Sequence, residues 1–264
     1  MIYNGEENRL IMNYHMFNEH TLNIFCDGSV KKITHPDGTP ETIGCAGAYA
    51  CSYSVKKEIE KSCTVIRGAT NNITELMAIY EALTIAEKHK HNFKTINIIS
   101  DSKINIMGLR EWIFNWIVPG IPHLCSSSGT PKNQPELMKN IYFILHNKLN
   151  VNFYHINGHK NPNIESHMKA AYKTFKESNH LQHPIEHKLI VNLCIGNDIV
   201  DKFTGVVIEE KMKLFGAVGD YVPRNIDPDL VPNEWYLPEP QPQPLIRHVY
   251  YPFDVELYRK LINQ

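Results

Sequence analysis

The stretch Leu22-Asn23-Ile24-Phe25-Cys26-Asp27-Gly28-Ser29 sets the frame for the rest of the chain. Apolar and β-branched residues run up to an acid, and Gly-Ser then breaks the run. That predicts a central strand over about 21–27 with a carboxylate at its C-terminal end. A second run, Lys94-Thr95-Ile96-Asn97-Ile98-Ile99-Ser100-Asp101-Ser102, ends in an acid in the same way. Between them, Thr70-Asn71-Asn72-Ile73-Thr74-Glu75 opens a helical run to about Lys90. Leu76, Ile79, Tyr80, Leu83 and Ala86 form its apolar face. Strand, helix, strand requires a crossover, so the two strands are expected to be parallel neighbours with Asp27 and Asp101 side by side. Paired acids repel unless a proton or a bound cation removes the cost. Taken singly, Asp101 reads as an N-cap and Glu75 as a first-turn acid favouring the helix dipole. Both readings holding at once, with a glutamate helix between the two strand ends, is less economical than one shared site.

The remaining chain fits around this unit. Residues 1–20 show no period and read as a poorly ordered lead-in. Pro36-Asp37-Gly38 and Pro40 mark 28–43 as a turn-rich loop. Strands over 44–53 and near 58–66 complete an antiparallel meander. Trp112 and Trp116 lie four apart on a short helix over 102–117, beside an exposed loop containing Pro119-Gly120-Ile121-Pro122 and Ser126-Ser127-Ser128-Gly129. Two tryptophans on one face serve as core anchors, and the loop beside them allows one to face a substrate as a stacking platform. A helix over 135–149 turns Leu137, Ile141, Ile144 and Leu145 inward, and a strand over 150–156 leads into Gly158-His159. A polar helical insert occupies 163–192. Its His167, His180, His183 and His187 are too loosely spaced, with no nearby cysteine, for a zinc site. A last helix is expected from Gly196 to about Phe215, with Asp198 and Asp201 on one face. From 216 to 264 prolines recur among aromatic residues. This extension is expected to pack across the domain or dock on a protein partner, with a short helix near Val255–Ile262.

The 264 residues include 42% hydrophobic ones, enough for one domain with extensions. Lys and Arg number 27 against 28 Asp and Glu, a balance that by itself argues against nucleic-acid binding. A cluster of acids loaded with divalent cations alters that sum locally. The six cysteines form no C-x-x-C pair, which fits a reducing compartment without a disulfide framework. No run approaches the roughly 18 apolar residues of a membrane span, and the N-terminus lacks a basic-then-apolar leader pattern. The expectation is a soluble, intracellular, monomeric protein with no membrane partner.

Taken together, these stretches resemble type 1 ribonuclease H. The matching residues are Asp27-Gly28-Ser29, Thr70-Asn71-Asn72 with Glu75, Ser100-Asp101-Ser102, Trp112 to Trp116, Asn157-Gly158-His159, and Gly196-Asn197 with Asp201. The resemblance covers about 21–215. It implies an α/β fold with a mixed five-stranded sheet of order 3-2-1-4-5 flanked by helices. It implies hydrolysis of the RNA strand of RNA–DNA hybrids with two Mg²⁺ or Mn²⁺ ions, in primer or hybrid removal during replication. By position, the metal-holding acids would be Asp27, Glu75, Asp101 and Asp201, with Asp27 bridging both ions. His159 would move a proton or help product leave. Asn71 and Asn72 would reach into the hybrid minor groove, Thr70 would help hold a DNA phosphate, and Trp112 would contact substrate. Asp198 competes with Asp201 for the fourth place, across a stretch from His159 longer than the family's short loop. Ile117-Val118-Pro119-Gly120 stands where the family often carries a basic handle. The other readings are a DNA nuclease or integrase relative on the same fold, and a non-catalytic nucleic-acid-binding module.

Overall fold

A computed structural model describes residues 16–35, 37–116, 135–214 and 255–262. Five strands, β1 (Thr21–Thr34), β2 (Pro40–Ser52), β3 (Glu58–Arg67), β4 (Thr95–Ser100) and β5 (Asn152–His155), form one sheet in the order β3-β2-β1-β4-β5. β1 pairs antiparallel with β2 and parallel with β4, and β4 pairs parallel with β5. The sheet order is the one implied by the family resemblance.

The strand period of two sorts the β1 side chains between two cores. Leu22, Ile24 and Cys26 lie with Ala46, Ala48 and Ala50 of β2 beneath helix α1 (Asn71–His89). Phe25 belongs to a second core with Ile99, Tyr154, Phe175, Leu189, Ile190 and Leu193. That core is covered by α5 (Glu165–Ser178) and α6 (His187–Leu214). Each fully buried Leu, Ile or Phe here contributes about 1.5–3 kcal/mol from water exclusion. Between β4 and β5 the chain forms α2 (Lys103–Met107), a π turn (Gly108–Trp112), α3 (Ile113–Trp116) and α4 (Pro135–Asn147).

The structure departs from expectation in several places. β1 continues seven residues past Asp27, because its antiparallel partner β2 reaches back to Pro40. The expected loop over 28–43 is therefore mostly hairpin. Glu75 lies in the second turn of α1, since the helix begins at Asn71. The last helix starts at His187 rather than Gly196. Leu189, Ile190 and Leu193 give its early turns an apolar face that extends the core. Gly196 sits inside it, where a Cβ would come 2.3 Å from the Phe25 ring. Part of the lead-in is also held in place. Met16 is buried, and its carbonyl accepts a hydrogen bond from Asn23 Nδ2. The loop expected after Trp116, with Cys125, and the proline-rich stretch 216–254 lie outside the described residues.

One feature was not foreseen. Asn23, Asn97 and Asn152 stand in register on β1, β4 and β5 and form a buried amide ladder. Asn97 Nδ2 donates to Asn23 Oδ1 at 2.9 Å, and Asn152 Nδ2 donates to Asn97 Oδ1 at 3.0 Å. Any register slip would strand these amides, so the ladder specifies the alignment of the parallel strands. The short helix expected near Val255–Ile262 is present as α7 (Val255–Leu261), and its Tyr258 is fully buried in the α1 core. Tyr258 Oη donates to the Leu109 carbonyl at 3.0 Å, and Val151 N–H donates to the Leu261 carbonyl at 2.9 Å.

Candidate active site

Asp27 lies two residues beyond Phe25↔Ile99, the last β1–β4 pair. At Ser100 the neighbouring strand ends and its chain leaves toward α2, with Asp101 as the first residue past the strand. The β1 edge thus opens where Asp27 and Asp101 stand. Glu75 arrives from α1, which can lie against β1 because Gly28 has no side chain. A Cβ there would come 2.5 Å from the Glu75 backbone nitrogen. Gly158, after β5, closes the other side: a Cβ on it would come 2.0 Å from Asp101 Oδ2.

Carboxylate oxygens of Asp27, Glu75 and Asp101 converge, one from each residue, within 4.8 Å of one another. Asp27 is only 6% exposed. Burial, and then the neighbouring Asp101 and Asp201 charges, push its carboxyl up to about 8. Glu75 is pushed up to about 9 by burial, then by Asp27 and Asp101. Asp101 is raised chiefly by burial, against an opposing hydrogen bond from Asn197, whose Nδ2 lies 3.5 Å from Asp101 Oδ2. The Cys26 thiol beneath the cluster is driven far up by burial, then by Glu75 and Asp27, so it stays a neutral filler.

Such a cluster is costly as bare carboxylates and fits a hard divalent cation, which takes oxygen ligands and supplies the missing positive charge. Glu75 Oε2 strengthens the fit: it is buried and has no hydrogen-bond partner among the described residues.

Asp201 approaches from α6, within hydrogen-bonding reach of Asp27. Its Oδ2 lies 3.2 Å from His159 Nδ1. Asp198 instead pairs with Lys202 at 2.6 Å on the exposed side of the helix. The His159 side chain is 78% exposed, and its backbone adopts a left-handed φ of 52°. Non-glycine residues in that conformation are uncommon and gather at functional sites.

The remaining expected site residues are not members of this cluster. Thr70 is the N-cap of α1, its Oγ1 accepting the Ile73 N–H at 3.4 Å. Asn71 and Asn72 are exposed in the first turn of α1. Trp112 is half-buried at the end of the π turn, its ring centroid 6.0 Å from that of Trp116. Sequence reasoning gave no role to Asn197 or Gly158, although both stood inside quoted motifs.

The RNase H family model matches residues 19–172, more than half of the chain. Among curated proteins, a ribonuclease H of Clostridium botulinum is 31% identical over 137 residues, 52% of this chain and 82% of that protein. A ribonuclease H of Rickettsia bellii is 37% identical over 73 residues, 28% of this chain. The latter match spans 43% of the Rickettsia protein, less than half its length. Among solved structures, RNase H1 from the archaeon Halobacterium salinarum aligns over 61% of this chain and 98% of its own. Its TM-score is 0.35 at 16% identity. No helix among the described residues is long and apolar enough to cross a membrane.

Proposed function

This chain belongs to the RNase H family, and on that premise we propose that it is an endoribonuclease hydrolysing the RNA strand of RNA–DNA hybrids. The observation carrying the proposal is the convergence of Asp27, Glu75 and Asp101, with a buried Glu75 oxygen that has no partner among the described residues. Asp27, Glu75, Asp101 and Asp201 would hold two Mg²⁺ ions, or Mn²⁺. Such ions supply an activated water and stabilise charge on the departing 3′ oxygen. The protein's own residues supply the rest. Gly28 and Gly158 admit the acids to one point, Asn197 steadies Asp101, and Asp201 orients the exposed His159. His159 would move a proton there.

Substrate choice follows from α1. Asn71 and Glu75 are one turn apart on the same helix face, about 6 Å along the axis. A residue reading a 2′-hydroxyl in the minor groove would therefore sit one helical turn from the acid at the scissile phosphate. Asn72 would read beside it, Thr70 would flank a DNA phosphate, and Trp112 would face the duplex. The physiological role we assign is removal of primers or hybrids during replication.

Cleavage of an end-labelled RNA–DNA hybrid with Mg²⁺, beside matched RNA–RNA and DNA–DNA duplexes, tests this. Cutting confined to the RNA strand of the hybrid is expected. Equal cutting of DNA duplex would make the chain a DNA nuclease on this fold, and metal-bound, folded protein that binds but cuts nothing would make it a binding module.

A further inference from the structure

β5 is an edge strand, so its outward backbone groups need partners from outside the sheet. Asn179, at the end of α5, supplies them. Its Oδ1 accepts the His155 N–H at 2.9 Å, and its Nδ2 donates to the His155 carbonyl at 2.8 Å. One side-chain amide thus takes the place of a neighbouring strand at the last residue of β5. Arg110 completes the brace from the π turn. Its Nη1 donates to the Phe153 carbonyl at 3.2 Å and to Asn179 Oδ1 at 2.9 Å, and its Nη2 donates to the Ser178 carbonyl. On the inner side, Ile156 N–H donates to the Ser100 carbonyl at 3.0 Å. The strand end is therefore gripped on both edges.

Three residues beyond Ile156 stands His159. Its loop runs on to α5, and the same helix holds that end too: His167 Nδ1 accepts the Asn161 N–H at 3.1 Å. The loop between carries the left-handed His159 backbone and presses Gly158 against Asp101. A strained, exposed loop of this kind persists only where its flanks are fixed. The family model ends at residue 172, before Asn179.

We propose that α5 is a splint for the His159 loop and that Asn179 is a positioning residue for the reaction, acting through the backbone of β5 on His159. The proposal rests on the ribonuclease reading for its kinetic consequence, but not for its structural one. Asn179 touches neither the acids nor the space between them. It fixes where the chain leaves the sheet, and so where the imidazole stands relative to Asp201.

The test uses full-length protein carrying Asn179→Ala, and Asn179→Asp, which keeps the size and the acceptor oxygen but loses both N–H donors. Amide hydrogen exchange over 155–160 is expected to quicken at least about tenfold in Asn179→Ala, the loss of one net hydrogen bond, and less in Asn179→Asp. On the hybrid, kcat is expected to fall about tenfold with KM within about twofold, as misplacement of one group predicts. In a His159→Ala background the same substitution should cost no further activity. Unchanged exchange over 155–160 overturns the proposal, and so does a loss that multiplies fully with His159→Ala. Failure of wild-type protein to cut any hybrid would instead sink the ribonuclease reading, while the exchange measurement still decides whether Asn179 holds the loop.

Discussion

Replacing Asp27 by asparagine should stabilise the metal-free protein, increasingly so as pH rises, while abolishing activity. In the native state Asp27 holds its proton to about 8, against an ordinary value of 3.8. Between those values the unfolded chain has lost the proton and the folded one has not, so stability falls as pH rises. At about 1.4 kcal/mol per pH unit, this one carboxyl costs on the order of 5 kcal/mol by pH 8, and only about 1.5 kcal/mol at pH 5. Asparagine removes that cost, and its own imperfectly bonded amide returns about 1–3 kcal/mol of it. The net gain at pH 8 is about 2–4 kcal/mol, or roughly 5–15 °C in Tm. At pH 5 the gain should vanish. Divalent cation at a hundred times its Kd adds about 2.7 kcal/mol to the wild type alone, so it should close most of the gap at pH 8. The assay is thermal unfolding of both proteins at pH 5, 6.5 and 8, in chelator and in Mg²⁺. A Tm difference that does not grow with pH in chelator, or a wild type more stable than Asp27→Asn at pH 8 without metal, would refute the electrostatic reasoning.

Other expectations follow from single contacts. Gly158→Ala must move Asp101 Oδ2, 2.0 Å from the new Cβ, and a displacement of about 1 Å should lower kcat on the order of a hundredfold. Circular dichroism should remain that of the wild type. Asn97→Leu breaks the ladder in the middle and takes the donor from buried Asn23 Oδ1, at about 1–3 kcal/mol, read as a lower urea midpoint. Tyr258→Ala empties a fully buried site and should cost about 3–5 kcal/mol, whereas Tyr258→Phe, which gives up the bond to the Leu109 carbonyl, should cost about 0.5–1.5 kcal/mol.

The parts of the fold written in short-range pattern were legible before any coordinates. The runs ending at Asp27 and Asp101, with an amphipathic helix between, dictate a parallel pair, and the structure pairs Leu22 with Ile96 and Phe25 with Ile99. What escaped the pattern depends on partners distant in sequence. Gly28-Ser29 looks like a break, yet β1 runs through it because β2 supplies hydrogen bonds as far as Pro40. Gly196 looks like a helix start, yet it is an interior residue kept small by the Phe25 ring. The strand positions of Asn23, Asn97 and Asn152 were visible singly, but only the sheet order puts the three amides in line. Within the site, the three strand and helix acids were predictable from spacing. Asp198 and Asp201 are three residues apart, and only the roll of α6 separates the one paired with Lys202 from the one facing His159. Asn179 carried no local signal, because its task is defined by the exposed edge of β5.

The most direct test of the central claim is the fate of a 5′-labelled RNA strand annealed to DNA, incubated with Mg²⁺ and either wild-type or Asp27→Asn protein. Internal cuts leaving 3′-hydroxyl ends, abolished by chelator and by Asp27→Asn, are the predicted result. Undiminished cutting by Asp27→Asn, or an intact RNA strand after incubation with folded wild-type protein in Mg²⁺ and in Mn²⁺, would contradict it.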